Sequence, residues 1–207
     1  MLRAMRDRDI RAALWALLDE QHADDPDTLV LDELGICQGE TRADVAVVNG
    51  SLAAFEIKSD RDTLARLPGQ IEAYQRVFDV VTVIVGGRYV ERIMDAIPET
   101  WGVIQAVSQT QSVELKFLRE PIKNERVDPL SVTQLLWRDE ALTLLEERGL
   151  ARGFRSKPRR LLWQAIVDQL SPEEVSEAVR AQLKAREGWR SDPRPTQDGD
   201  SRQPAAT

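Results

Sequence analysis

The stretch that decides the fold is TRADVAVVNGSLAAFEIK, residues 41–58. Apolar residues flank Asn49-Gly50, a dipeptide that favours tight turns between antiparallel strands, and together they predict a β-hairpin. The first strand carries Asp44, and the second carries Glu56 and Lys58. Because side chains alternate along a strand, Glu56 and Lys58 are expected on the same face.

The register of this hairpin decides whether Asp44 joins Glu56 on that face. Because 44 and 56 add up to an even number, Asp44 and Glu56 share a face only if the paired positions of the two strands also add up to an even sum. A two-residue loop at Asn49-Gly50 gives an odd sum and separates the carboxylates. A three-residue loop that ends at Gly50 gives an even sum and requires Gly50 in the left-handed conformation. A site that both carboxylates share requires the even register, so we predict a three-residue loop or a bulge.

The first 120 residues alternate between helical and strand patterns. Leucines at helical spacing predict a first helix over 1–22. The β-branched run Val80–Val85 is typical of a strand buried on both faces. The other predicted elements are a strand at 29–31, the hairpin strands at 42–48 and 52–58, a helix at 63–78 broken at Pro68-Gly69, a helix at 89–96, and strands at 101–107 and 112–118.

Helical patterns dominate after residue 129. Ser171-Pro172-Glu173-Glu174 is a capping box with proline at the first helical position. Helices are predicted at 130–147, 159–170 and from this box to about residue 186. The expected organisation is an α/β core over 1–120, a C-terminal helical appendage over 121–188 and a disordered tail over 189–207.

The charge balance argues against a simple nucleic-acid-binding protein, because the 207 residues carry a formal net charge of −7. Carboxylates that bind metal contribute to such a count. The run from Arg148 to Arg160 contains only basic charges, and it either follows a nucleic-acid backbone or is a solvated loop. The single Cys37 and the lack of a signal-peptide or membrane-spanning pattern predict a cytoplasmic protein without a membrane partner.

The hairpin offers oxygen ligands for a hard cation. Asp44, Glu56 and the carbonyl of Ile57 are candidate ligands of Mg²⁺, with Mn²⁺ as a substitute, because Mg²⁺ takes few protein ligands and keeps several waters. Bound metal lowers the pKa of water and neutralises charge on a phosphate. Lys58 is then expected beside the attacking water or the phosphate. The predicted catalytic residues are Asp44, Glu56 and Lys58.

Asp44…Glu56-x-Lys58 across a hairpin, followed by a helix and a buried strand, resembles the PD-(D/E)XK nuclease superfamily. The resemblance covers roughly the first half of the chain. It implies a restriction-endonuclease-like αβββαβ core with a mixed central sheet and the site at one end of that sheet. Ala43 departs from the proline that many members carry before the aspartate.

Gln70-Ile71-Glu72-Ala73-Tyr74 is similar to the QxxxY motif of RecB-type members of that superfamily. There the motif lies on the helix after the lysine strand and helps to position the site or the nucleic acid. Gln70 and Tyr74 share a helical face. The alternative is a helix whose tyrosine packs on the sheet while the glutamine is solvated. The stretch 56–74 also resembles small bacterial proteins without an assigned function.

Other residues are weaker candidates. Glu33, at the end of the first short strand, is predicted as an additional metal ligand, ahead of Glu20 and Glu40. Arg61 and Arg66 are predicted to contact phosphates, although solvated helix arginines are common.

Together these features predict a Mg²⁺-dependent nuclease whose substrate is nucleic acid, DNA in preference to RNA. The alternative is a non-catalytic protein that keeps the fold and binds nucleic acid or a protein partner. The sequence leaves the oligomeric state open.

Overall fold

A computed structural model describes residues 5–110 and 112–186. In chain order its elements are α1 (Asp7–Gln21), β1 (Leu29–Ile36), a 3₁₀ turn (Cys37–Gly39), β2 (Thr41–Val48), β3 (Leu52–Lys58), α2 (Leu67–Val77), β4 (Val80–Gly86), a second 3₁₀ turn (Gly87–Tyr89), α3 (Val90–Ala96), β5 (Gly102–Ser108), β6 (Val113–Arg119), α4 (Pro129–Thr133), α5 (Arg138–Glu147), α6 (Arg159–Gln169) and α7 (Pro172–Ala185).

The strands form a six-stranded mixed sheet in the order β1-β2-β3-β4-β5-β6. The β3–β4 and β4–β5 pairs are parallel, and the β1–β2, β2–β3 and β5–β6 pairs are antiparallel. The α/β class, the mixed sheet and the C-terminal helices expected from the sequence are therefore confirmed.

Different helices cover the two faces of the sheet. On one face, α1 buries Ile10, Leu14 and Leu18 in a cluster with Ile84 of β4. On the other face, Val83 of β4 belongs to a larger cluster that includes residues of α2 to α7. The prediction that β4 is buried on both faces is confirmed.

The hairpin has the parity that the shared face requires. Val45 pairs with Phe55 and Val48 pairs with Leu52, so paired positions give an even sum. The connection is three residues long, Asn49 to Ser51, as predicted in length but displaced by one residue. The expected left-handed Gly50 is wrong, because its φ lies outside that region. The side chain of Asn49 forms the turn instead, and its Oδ1 accepts the N–H of Ser51 at 3.0 Å.

Three predicted boundaries need correction. The stretch 63–78 is helical only from Leu67, so there is no helix before Pro68 for it to break. The expectation that Pro68 starts the longer helical piece is confirmed, since it lies in the first turn of α2. The first strand does not end at residue 31 but continues to Ile36 through Glu33, whose φ of 54° is left-handed. The first helix begins at Asp7, since the described residues before it, Met5 and Arg6, are not helical.

The single helix expected over 130–147 is two helices. Asp128 caps α4, where its carboxylate accepts the N–H groups of Leu130 and Ser131. A new helix starts after Trp137, whose N–H donates to Glu140 Oε2 at 2.7 Å. The carboxylate satisfies a backbone donor at the start of α5, so a separate helix begins there.

The C-terminal helices share the core cluster on one face of the sheet, and α7 contacts β2. Leu162 of α6 and Val179 of α7 are fully buried in the same cluster as Val83. The division at residue 120 stays a prediction, since both parts share this core. The predicted disordered tail, 189–207, lies outside the described residues. Among the described residues, no helix is both long enough and apolar enough to cross a membrane.

Candidate active site

A cleft of about 920 Å³ lies where β2 and β3 meet the start of α2. Asp44 on β2, and Glu56 and Lys58 on β3, all line it. The structure thus brings together the three residues predicted to be catalytic. Other charged side chains that line the cleft are Asp7, Arg11, Glu33, Glu40, Arg42, Asp62, Arg66, Glu72 and Arg76.

Asp44 is held by the backbone of the neighbouring strand. Its Oδ2 accepts the N–H of Ile57 at 2.7 Å. Burial and the negative charge of Glu56 raise the pKa of Asp44 from its ordinary 3.8 to about 7, against the opposing effects of the Ile57 N–H and the Arg11 guanidinium. The Glu56 carboxylate therefore lies close enough to Asp44 to disfavour the charge of Asp44.

Glu56 is the hub of the cleft and is only 2% exposed. Its Oε1 accepts Lys58 Nζ at 2.5 Å and Gln70 Nε2 at 2.7 Å. Its Oε2 contacts the hydroxyl of Tyr74. These contacts answer the question that the sequence left open about Gln70 and Tyr74. Gln70 is not simply solvated and Tyr74 does more than pack in the core, because both side chains contact Glu56.

Lys58 is buried as well, with 4% exposure. Its ammonium group donates to Glu56 Oε1 and, at 2.9 Å, to Gln70 Oε1. An ammonium group has three donors, so these two contacts leave one available. Glu56, Lys58 and Gln70 form a closed ring of hydrogen bonds, since the amide oxygen of Gln70 contacts Lys58 while its nitrogen donates to Glu56. The lysine is thus fixed at the floor of the cleft.

Tyr74 anchors this ring to the core of the protein. It is fully buried, stacks on Trp101 with ring centroids 5.7 Å apart and meets Phe78 edge-on at 5.3 Å. Its hydroxyl also lies 2.9 Å from the backbone oxygen of Arg42 on β2. Burial, followed by the charge of Glu56, raises the pKa of Tyr74 above its ordinary value, so the phenol is neutral.

Arg11 of α1 is the residue at the site that the sequence did not predict. Its guanidinium donates to the backbone oxygen of Asp44 at 2.7 Å and lies 3.5 Å from Asp44 Oδ1. It also pairs with Asp32 at 2.9 Å and Glu33 at 3.2 Å, although its side chain is only 12% exposed. Burial alone lowers its pKa, but the surrounding carboxylates, led by Asp7 and Asp44, outweigh burial and raise it. Arg11 is therefore a permanent internal cation.

One signal in the sequence points to Arg11. It lies three residues before Leu14 and seven before Leu18, so it borders the apolar stripe of α1. Long arginine side chains at such borders bury their stems and carry their charge to the rim of the core.

A protein-family model described as Bacteriophage P4 protein cII matches residues 2–193. The chain belongs to this family. Protein cII of Enterobacteria phage P4 is 27% identical to it over 186 residues, which cover 90% of this chain and 69% of that protein. A solved protein of unknown function from Silicibacter pomeroyi is 16% identical, with a TM-score of 0.38 over 73% of this chain and 93% of that one.

In this cII-family chain, Glu33 lies at the rim of the cleft. The β1–β2 register on either side, Asp32 with Val45 and Leu34 with Ala43, brackets Glu33 and Asp44 between them. The Glu33 carboxylate pairs with Arg11 at 3.2 Å and Arg42 at 3.6 Å. Its role as a metal ligand stays a prediction.

The other weak candidates divide between the cleft and the surface beyond it. Arg66 and Glu40 line the cleft, and Glu40 Oε2 lies 3.9 Å from Arg76. Arg61 and Glu20 are not among the residues that line it. Only Arg66 of the two predicted phosphate contacts is therefore placed beside the catalytic candidates.

The oxygen donors of the cleft suit a cation with few protein ligands. Among the described residues, no group of three acidic, histidine or cysteine side chains converges on one metal position. Asp44 and Glu56 form a pair whose repulsion a divalent cation would relieve, and Mg²⁺ characteristically binds one or two carboxylates and keeps its waters. The residues fit Mg²⁺ held by these two carboxylates and the carbonyl of Ile57, not an all-protein cage.

Proposed function

We propose that this cII-family protein is a metal-dependent nuclease that hydrolyses phosphodiester bonds of nucleic acid, DNA in preference to RNA, in the cytoplasm. The observation that carries the proposal is the convergence of Asp44, Glu56 and Lys58 in one cleft, with Gln70 and Tyr74 bound to Glu56. The element order α1-β1-β2-β3-α2-β4 is consistent with a restriction-endonuclease-like core.

Asp44, Glu56 and the carbonyl of Ile57 would hold Mg²⁺, with Mn²⁺ as a substitute. When bound, the ion supplies a more acidic water and neutralises charge on the phosphate. Glu56 retains one of its four acceptor positions for this task, because Lys58, Gln70 and Tyr74 occupy three.

Lys58 acts on the reacting groups directly. Glu56 and Gln70 hold its ammonium group in place, and its third donor remains for the attacking water or a phosphate oxygen. A cation fixed in a buried site stabilises developing negative charge more strongly than one in water. Gln70 is a positioning residue, since it orients both Glu56 and Lys58.

A non-catalytic binding protein is the second candidate. The burial of Glu56 and Lys58 and their direct ion pair favour it, because paired and buried charges are also a common structural arrangement. The two candidates differ in a single measurable property, which is turnover.

A cleavage assay separates them. Wild-type protein is incubated with single-stranded, double-stranded and branched DNA and with RNA, in Mg²⁺, in Mn²⁺ and in EDTA. The proposal requires cleavage of at least one substrate that depends on the divalent cation, and its loss in K58M, which removes the ammonium group and keeps most of the side-chain length. The matched control is K184M, since Lys184 pairs with Asp27 away from the cleft. Wild type that cuts nothing, or K58M that cuts like K184M, refutes the nuclease assignment.

A further inference from the structure

The connection between α5 and α6, together with the first two residues of α6, carries a concentrated positive charge. Residues 148–160 contain six basic and no acidic side chains, although the whole chain has a net charge of −7. All six are exposed. We call this segment the basic loop, and its charged residues are Arg148, Arg152, Arg155, Lys157, Arg159 and Arg160.

The basic loop is anchored by its apolar residues. Ala151 is buried in the main core cluster, and Leu150 and Phe154 pack against that cluster. The backbone is closed by hydrogen bonds from Phe154 N to Ala151 O at 3.0 Å and from Lys157 N to Phe154 O at 2.9 Å. The apolar side chains therefore point inward, and the loop presents the basic ones on a defined backbone.

Much of this charge is not neutralised by the protein itself. Arg155 pairs with Glu146 at 3.0 Å and Arg148 with Glu174 at 3.5 Å. Among the described residues, the other four have no acidic partner within ion-pair distance. The guanidinium of Arg159 lies 5.1 Å from the centroid of the Trp163 ring, whereas Arg152, Lys157 and Arg160 have no such ring contact within the described part of the chain. Three cations thus remain for an external anion.

The start of α6 carries an electrostatic cost in the free protein. Arg159 and Arg160 occupy its first turn, which has no acidic residue and no side-chain cap. Positive charge at a helix N-terminus opposes the helix dipole by about 0.3 to 1 kcal/mol per group. By contrast, α7 begins with a Ser171 cap and two acidic residues. A bound anion would remove the cost at α6.

We propose that the basic loop binds the phosphate backbone of a nucleic acid at a surface outside the candidate active site. Guanidinium groups match phosphate oxygens in geometry and charge. A membrane surface is the poorer partner, because the large apolar residues of the loop, Leu150 and Phe154, pack inward instead of presenting a face for insertion. Backbone binding does not require cleavage, so this inference goes beyond the proposed function and does not depend on it.

The test compares two variants of the full chain with the same change in charge. R152Q/K157Q/R160Q removes the three cations without partners, and K116Q/K123Q/R126Q removes three exposed cations elsewhere. Binding of labelled single-stranded and double-stranded DNA and of RNA is measured by fluorescence anisotropy over a salt series in EDTA. The logarithm of the wild-type binding constant should fall linearly with the logarithm of salt concentration. The slope should weaken by about 2 to 3 in the loop variant and remain unchanged in the control.

Equal slopes for wild type and the loop variant would overturn the proposal, as would an equal loss of affinity in the control variant. Tighter binding to anionic lipid vesicles or to an acidic peptide than to every nucleic acid would overturn it as well. EDTA prevents metal-dependent cleavage, so the binding experiment does not depend on nuclease activity. If the loop binds nucleic acid in EDTA but wild type cuts no substrate in the separate assay with Mg²⁺ or Mn²⁺, this inference is supported and the nuclease proposal is refuted.

Discussion

Asp44 Oδ2 accepts the backbone N–H of Ile57 at 2.7 Å, just beyond the last paired residues of β2 and β3, Val45 and Phe55. At this point a side chain replaces the backbone acceptor that a regular ladder would supply. The same carboxylate is therefore both a candidate metal ligand and the group that completes the end of the hairpin.

Replacement of Asp44 by alanine should destabilise the fold more than replacement by asparagine. Both D44A and D44N remove the charge, but only D44N retains an oxygen that can accept the Ile57 N–H. An unsatisfied buried donor costs about 1 to 3 kcal/mol, which is the expected difference in the free energy of unfolding in urea. If the two variants unfold at the same urea concentration, the Asp44–Ile57 bond does not stabilise the strand end.

The raised pKa of Asp44 predicts a specific dependence of stability on pH. The folded protein holds this proton up to about pH 7, whereas the unfolded chain releases it near 3.8. Between these values Asp44 ionises in the unfolded chain but not in the folded protein. This stabilises the unfolded chain, so the stability of wild type falls as pH rises, by at most about 1.4 kcal/mol per pH unit.

D44N lacks this titration, so its stability relative to wild type should increase from about pH 4 to pH 7 and then level off. Urea unfolding of both proteins across this range in EDTA measures the difference. A difference that is flat with pH, or that falls, contradicts the burial and repulsion inferred for Asp44.

The Tyr74 hydroxyl should matter for the site and not only for the core. Y74F keeps the ring contacts with Phe78 and Trp101 but loses the contact with Glu56. Outer groups that orient metal ligands contribute about 10- to 100-fold to metal affinity or activity. We expect losses of that size in Mg²⁺ affinity by calorimetry and in the cleavage rate.

Y89F is the matched control, because Tyr89 is also a buried tyrosine and its hydroxyl donates to the backbone carbonyl of Asp62 at 2.7 Å. It should lose stability but keep Mg²⁺ affinity. Equal losses of affinity in the two variants would mean that Tyr74 serves the fold alone.

Arg11 should be the most sensitive arginine of α1. R11Q leaves Asp32, Glu33 and Asp44 without their shared cation. Because these carboxylates are partly exposed and solvent screens them, the loss should be smaller than for a fully buried ion pair, about 1 to 3 kcal/mol. R8Q is the control on the same helix, since the Arg8 side chain is 58% exposed and lies 3.6 Å from Asp9. Its effect should stay within about 0.5 kcal/mol. Urea unfolding of both variants measures the contrast, and a small effect of R11Q would mean that the cluster tolerates an uncompensated charge.

The parts of the fold that were predictable depend on local patterns. Alternation and an apolar run identify the hairpin and β4, and the Ser171 capping box marks the start of α7. Parity predicted the length of the loop, since Asp44 and Glu56 can share a face only with a three-residue loop or a bulge. It did not select which three residues form the loop, because loops that start at residue 48 or 49 both give an even sum. The Asn49 bond to Ser51 makes that choice.

The parts that were not predictable depend on contacts between distant segments. Arg11 and Asp44 are 33 residues apart and meet only because α1 packs across the sheet. The left-handed conformation of Glu33 has no signal in its own sequence, since glutamate rarely adopts it. Leucines continue at helical spacing over 130–147, so the pattern gives no sign of a separate start of α5. That start depends on the bond from the Trp137 N–H to the Glu140 carboxylate.

The central claim is that Asp44 and Glu56 support metal-dependent hydrolysis of a phosphodiester bond. The most direct measurement is the rate of nucleic-acid cleavage by wild type and by E56Q, which keeps the size of Glu56 and removes its charge, in Mg²⁺ and in EDTA. Cleavage is expected only with wild type in Mg²⁺. Cleavage by E56Q at the wild-type rate, or no cleavage by wild type, would contradict it.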